Sequence, residues 1–244
     1  MIAYLGMYDM PALRPANDRF WDRIRVRLGF GPERLTRDPD PWEIWQSADL
    51  LLAQTCGMPY RTRLHDAVSL VATPDYGLAG CPPGYYHSVL IAHAHAPGEQ
   101  PQDFAGQRFA YNEALSQSGW AAPINHMNGL GVTFATHIKT GAHAASARAV
   151  AEGRADIAGI DAVTWALLCE HDPVVGALKV VGTTPPTPGL PLITARDRDV
   201  APIAAAIRAA IGDLATQDRA ALHIKGLIDI PATAYLAVAN PPAP

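Results

Sequence analysis

The stretch Ala110-Tyr111-Asn112-Glu113-Ala114-Leu115-Ser116-Gln117-Ser118-Gly119-Trp120 reads as a buried strand end, a short polar turn and the opening of a helix. Hydroxyls and unpaired main-chain N–H groups converge in such a turn at the positive end of a helix dipole. A phosphate-like group can be held there without a lysine. The competing reading is that Ser116 or Ser118 only caps its own helix, and the motif by itself leaves both open.

The same strand-then-helix unit recurs on either side of this stretch. Upstream, Ile2–Met7 reads as a short strand, followed by Phe20, Trp21, Ile24 and Leu28 on one helical face. Asp40-Pro41 reads as an N-cap with proline at the first helical position, and Asp49–Gln54 as a buried strand that runs into a second polar turn, Thr55-Cys56-Gly57. Ala67–Thr73 reads as a strand closed by Pro74 and Asp75, and Tyr85–Ala94 as one long enough to pass between two domains.

Downstream, Ser118–Met127 reads as a helix and Val132–Ile138 as a strand. Ala142–Glu152 reads as a helix stopped by Gly153, Ala155–Ile160 as a strand, and Asp161–Cys169 as a helix. Ala177–Gly182 and Leu190–Ala195 read as strands around the stiff linker Thr183–Gly189. Helices are expected over Asp199–Ala215 and from Thr216 towards Gly226, and Asn240–Pro244 as a disordered tail. Repeated βα units imply an α/β chain with parallel sheets and helices on both faces.

Composition narrows the function. Apolar residues make up 49% and charged residues 17%, which describes a folded chain, and a net charge of −4 with no polybasic cluster argues against nucleic acid. A small-molecule partner is favoured. No apolar run is long enough to insert in a membrane, and the opening residues lack a signal pattern, so the chain as written reads as cytoplasmic, or as periplasmic if a leader has been removed. Cys56, Cys81 and Cys169 are odd in number and have no metal spacing. His93 and His95 form an H-x-H pair without a recognisable third ligand, so no metal and no cofactor is expected.

Five segments carry a resemblance. They are Gln54-Thr55-Cys56-Gly57, Gly84-Tyr85-Tyr86-His87-Ser88-Val89, Asn112-Glu113 with Ser116-Gln117-Ser118-Gly119, Thr140-Gly141-Ala142-His143, and Gly153 to Trp165. In this order they resemble the phosphate/phosphite/phosphonate-binding family of ABC-transporter substrate-binding proteins over nearly the whole chain. The resemblance implies the two-lobed type II periplasmic-binding-protein fold: two mixed sheets flanked by helices, joined by two crossing strands, with a small oxyanion in the cleft and an ABC permease as partner. The expected lobes are 1–92 with 183–244, and 93–182.

Carried over by position, the resemblance implies that Ser116, Gln117, Ser118 and Gly119 cradle the oxyanion, that His143 contacts it, and that Asp161 faces the rest of the ligand. A protonated His143 would add an ion pair. Tyr8, Thr55, Tyr86 and Trp165 are further candidates for the wall, against the alternative that such residues are core. Met58 stands in the Cys56-Gly57-Met58-Pro59 turn where the family pattern suggests an aromatic, so the first lobe's selectivity is expected to differ. Two other readings stay open. Ser118, His143 and Asp161 are the residue types of a hydrolase triad, although Ser-x-Ser-Gly is not a nucleophile elbow. A cytosolic ligand sensor is the third.

Overall fold

The computed structural model describes residues 1–244. Its strands are β1 Ile2–Tyr4, β2 Leu50–Gln54, β3 Val68–Asp75, β4 Tyr85–Tyr86, β5 Ser88–His93, β6 Arg108–Tyr111, β7 Thr136–Lys139, β8 Ile157–Asp161, β9 Leu178–Thr183, β10 Thr187–Pro188, β11 Leu192–Ala195 and β12 Gly226–Ile228. They form two five-stranded sheets, β1-β2-β11-β3-β12 and β7-β6-β8-β5-β9, and a two-stranded ladder of β10 with β4. The chain divides into two units, Met1–Tyr85 with Pro188–Ala237, and Tyr86–Thr187 with Val238–Pro244. It passes between them at the paired strands β4 and β10, and again after Ala237.

In the first unit β2 is buried along its whole length, as a central strand covered on both faces should be. Leu51 and Leu52 join a core with Phe20, Trp21, Ile24, Ile203 and Ile207, while Leu50 and Ala53 join another with Ile44, Trp45, Tyr60 and Tyr235. The helix Arg14–Leu28 ends at Gly29, whose φ of 77° is a left-handed cap, and the Gly29 N–H donates to the Arg25 carbonyl. Asp40 accepts from the Trp42 N–H at 2.7 Å, so the expected N-cap forms.

In the second unit β6 lies parallel to β7 and β8, and β5 runs antiparallel to both β8 and β9. Leu90, Phe109, Tyr111, Trp120, Ile124 and Ile157 form the core. Because β6, β7 and β8 run the same way, their carboxyl ends deliver Asn112, Thr140 and Asp161 to one edge. In the first unit β1, β2 and β3 likewise lead into Tyr8, Thr55 and Tyr76. This is the edge at which open α/β sheets bind ligands.

The structure departs from the sequence reading at several points. βα alternation implies parallel sheets, but β5 and β11 are antiparallel to their neighbours, giving the mixed sheets that the resemblance implies. Tyr85–Ala94 is broken at His87 into β4 and β5, and the linker Thr183–Gly189 contains β10. The units also divide elsewhere than at 92 and 183: β5 pairs along its length with β8 and β9, so the second unit begins at Tyr86 and ends at Thr187. Asn240–Pro244 is docked on the second unit, the Pro242 carbonyl accepting from the Trp120 indole. β12 and the helix Ala232–Leu236 escape the sequence reading because both are short.

The helix Ala232–Leu236 is tied down by Tyr235, whose buried hydroxyl meets Thr73 Oγ1 at 2.5 Å and donates to the Gly189 carbonyl at 3.0 Å. Tyr235→Phe leaves both groups without their partner and should lower stability by about 1–3 kcal/mol. Urea unfolding measures this; an unchanged midpoint contradicts the assignment.

Candidate functional site

The second unit's turn forms as a wide helical opening. Ser116 caps it, its Oγ accepting from the Gly119 N–H at 3.0 Å. Ser116 O then accepts from Ala121 N, one residue beyond the α-helical spacing, and Gln117–Ala121 is a π-type turn that continues into the helix Ala122–Gly129. Such turns are uncommon and recur at functional sites. A second one, Tyr60–Leu64, follows β2 in the first unit.

Glycine at 119 is required by space. A Cβ there would lie 1.8 Å from Asn112 Oδ1 and 3.2 Å from His143 Cε1. Asn112 Oδ1 is itself sealed from solvent and has no partner. The turn is stitched to the next βα connection, since the Gly141 N–H donates to Asn112 O, and the Thr140 hydroxyl lies 3.0 Å from Tyr111 O and 2.7 Å from Ser146 Oγ. From below, Gly159 on β8 lets the turn approach; a Cβ there would meet Pro123 and the Ser118 carbonyl.

Ser116, Gln117 and Ser118 are all buried, and Gln117 Nε2 reaches Thr187 Oγ1 at 3.4 Å. Ser118 Oγ lies 3.0 Å from His143 Nε2. His143 opens the helix His143–Ala151, and its Nδ1 is sealed from solvent without a partner at full hydrogen-bond geometry. Burial lowers its pKa to about 4, and the Gly159 carbonyl beside the ring only partly offsets that. The ring is therefore neutral near pH 7 in the free protein. The turn Asn112–Ala121 holds no lysine or arginine. The charge beside it is an ion pair, Lys139 with Glu113 at 2.8 Å, and both members are exposed.

The structure brings Ser116, Gln117, Ser118, Gly119 and His143 together. Asp161 is buried at the end of β8, where Oδ1 accepts from the N–H groups of Val163 and Thr164. It thus performs the capping role that competes with the ligand role. Its register partner is Ser88, whose buried Oγ has no partner. Tyr86 is buried in β4.

In the first unit Thr55 is fully buried, with Oγ1 unpartnered. Tyr8 meets the edge of Tyr76 at 5.2 Å, and Gln54 Nε2 donates to the Tyr76 hydroxyl at 3.1 Å. Asp9, anchored by Arg37 and Asn17, fixes the turn that carries Tyr8. Sequence reasoning did not name Asn112, Ser88 or Tyr76 as candidates. The signal available for Tyr76 was its place just after a strand end, next to the turn-forming Asp75.

A family model described as "ABC transporter, phosphonate, periplasmic substrate-binding protein" matches residues 46–233. No curated protein matches the chain. Among solved structures, it is similar to PhnD1 from Prochlorococcus marinus in complex with methylphosphonate, with 16% identity, a TM-score of 0.75, and coverage of 96% of this chain and 93% of that one. It is similar also to a binding protein component of an ABC phosphonate transporter from Pseudomonas aeruginosa, at 18% identity, TM-score 0.71, and 93% and 80% coverage. A Xanthomonas citri protein bound to ATP matches at 15% identity, TM-score 0.71, and 96% and 92% coverage. At these identities the structures establish the fold, a type II periplasmic-binding-protein architecture.

A histidine whose folded pKa lies below its unfolded value near 6.5 is a stability term with a definite sign. The unfolded chain takes up the extra proton between about pH 6.5 and 4, so stability is complete above that window and falls on acidification through it. Burial lowers His87, His126 and His137 as well, so the wild-type loss is shared. His143→Gln should shrink the stability difference between pH 7 and pH 5 by about 2 kcal/mol. Urea unfolding at the two pH values tests this; an unchanged difference contradicts the buried neutral ring.

Proposed function

The chain belongs to the phosphonate-binding family of ABC-transporter periplasmic substrate-binding proteins, and we propose that its own ligand is a small phosphonate or related oxyanion held on the Ser116–Gly119 turn. The observation that carries this reading is the buried run of donors around Ser118 and His143. Ser118 Oγ, the Gln117 amide, the turn's N–H groups and a neutral imidazole suit the tetrahedral oxygens of a desolvated anion. No helix is long and apolar enough to cross a membrane. We place the protein's work on the periplasmic side, handing its ligand to an ABC permease.

Further roles follow from the strand-end positions. Asp161, across from Ser88, caps its helix through Oδ1, and its carboxylate is assigned in addition to the part of the ligand that carries an amine or hydroxyl. Thr55 is assigned a ligand contact because a fully buried hydroxyl without a partner costs free energy unless something meets it. Tyr8 and Tyr86 are assigned to the apolar substituent.

One observation favours a hydrolase: Ser118 and His143 are at nucleophile–base distance. Two others outweigh it. Asp161 caps its helix while His143 Nδ1 has no carboxylate to orient it, and a ring titrating near 4 is a poor base at neutral pH. Binding without bond chemistry is the reading adopted, and a fluorophosphonate probe should leave the protein unlabelled. Covalent labelling at Ser118 would reverse the choice.

Calorimetry with methylphosphonate, phosphite and phosphate tests the binding itself. Ser118→Ala removes one hydrogen bond to a charged oxygen, worth about 1.5–3 kcal/mol, and should weaken the best of these ligands about ten- to a hundredfold without unfolding the protein. Equal affinities for variant and wild type would remove the turn from the site.

A further inference from the structure

Trp120 directly follows the Ser116–Gly119 turn, and its indole is held by a part of the chain with no place in the anion reading. Nε1–H donates to the Pro242 carbonyl at 3.0 Å, and Asn125 Nδ2, farther along the same helical segment, donates to the Ala239 carbonyl at 2.9 Å. Val238–Pro244 belongs to the second unit although the helix before it belongs to the first. An open pocket of about 180 Å³ lies beside the segment, lined by Trp120, Ile124, Val132, Phe134, His137 and Pro242.

We infer that Val238–Pro244 is a strap that positions the oxyanion turn by fixing the Trp120 indole from outside. A turn closed with π-type spacing is a rare conformation, found mostly as a single turn within a helix, so its surroundings help to hold it. The ring contacts of Trp120, with Tyr111 at 5.0 Å and His137 at 4.8 Å between centroids, hold the buried indole in the core. The indole's single N–H adds a directional restraint, and Pro242 takes that hydrogen. The strap uses main-chain carbonyls, and Pro241-Pro242 favours the extended conformation that presents them. The hydrogen bonds to the Pro242 and Ala239 carbonyls contribute to the attachment. Trp120 N–H donates to the Ser116 carbonyl and Gly119 N–H to Ser116 Oγ, so orienting Trp120 holds this closure of the turn and, with it, Ser118.

The inference rests on the anion reading for its effect on affinity, and its structural part is measured without ligand. The test compares the parent, a chain ending at Ala237, Trp120→Phe in the full chain, and Pro242→Ala, which keeps the carbonyl. Hydrogen exchange of the Ser116–Ala122 amides should rise about tenfold in the first two variants, with far smaller changes in β5 and β8, and stay at the parent value in Pro242→Ala. The Trp120 emission, isolated by difference from Trp120→Phe, should shift to the red when the strap is removed. Methylphosphonate affinity should fall by a similar factor in the shortened chain. Unchanged exchange in the turn, or a rise spread evenly over the second unit, would overturn the strap. If the shortened chain does not fold, Trp120→Phe decides by the same criterion. A parent that does not bind methylphosphonate would count against the anion reading, with the strap still judged by exchange.

Discussion

An oxyanion removed from water must have its lone pairs met by donors, and the site proposed at the end of β6 would have to supply them from a turn that holds no cation. The second unit's local structure is consistent with that requirement. The turn Gln117–Ala121 closes with π-type spacing, wider than an α-helical turn. The wide turn has to lie against Asn112 and β8, so positions 119 and 159 have no room for a side chain. His143 packs against it from the next βα connection, and burial keeps that ring neutral.

Neutral donors have a functional logic. A buried cation would hold an anion tightly but would discriminate poorly among anions of equal charge, whereas a fixed set of hydrogen-bonding groups reads geometry and protonation state. A carrier must also release its ligand, and a site built from uncharged donors is compatible with that.

The strand-turn-helix grammar of Ala110–Trp120 was legible because a buried strand, a run of serines and a glycine each leave a local signature, and the structure carries that stretch as read. Asp40 and Gly153 were legible for the same reason. Strand direction was not: β5 and β11 look in sequence like any other apolar strand, and their antiparallel placement depends on where the chain re-enters each sheet. The neutrality of His143 was hidden because burial is a property of the packed unit. Asp161 shows the limit from the other side, since a carboxylate before a helix reads as a cap, and the structure does use it as one. Tyr76, Ser88 and the docking of Asn240–Pro244 left little local signal because each depends on partners distant in the chain.

The central claim is that the anion is met by neutral groups, with His143 uncharged. Nitrogen-15 spectroscopy of the His143 ring in the methylphosphonate complex at neutral pH tests it most directly. The account predicts two widely separated ring-nitrogen resonances, one protonated and one bare, as in a neutral imidazole. Two nearby resonances, the signature of an imidazolium, would mean that the site holds its ligand by an ion pair and would contradict the account.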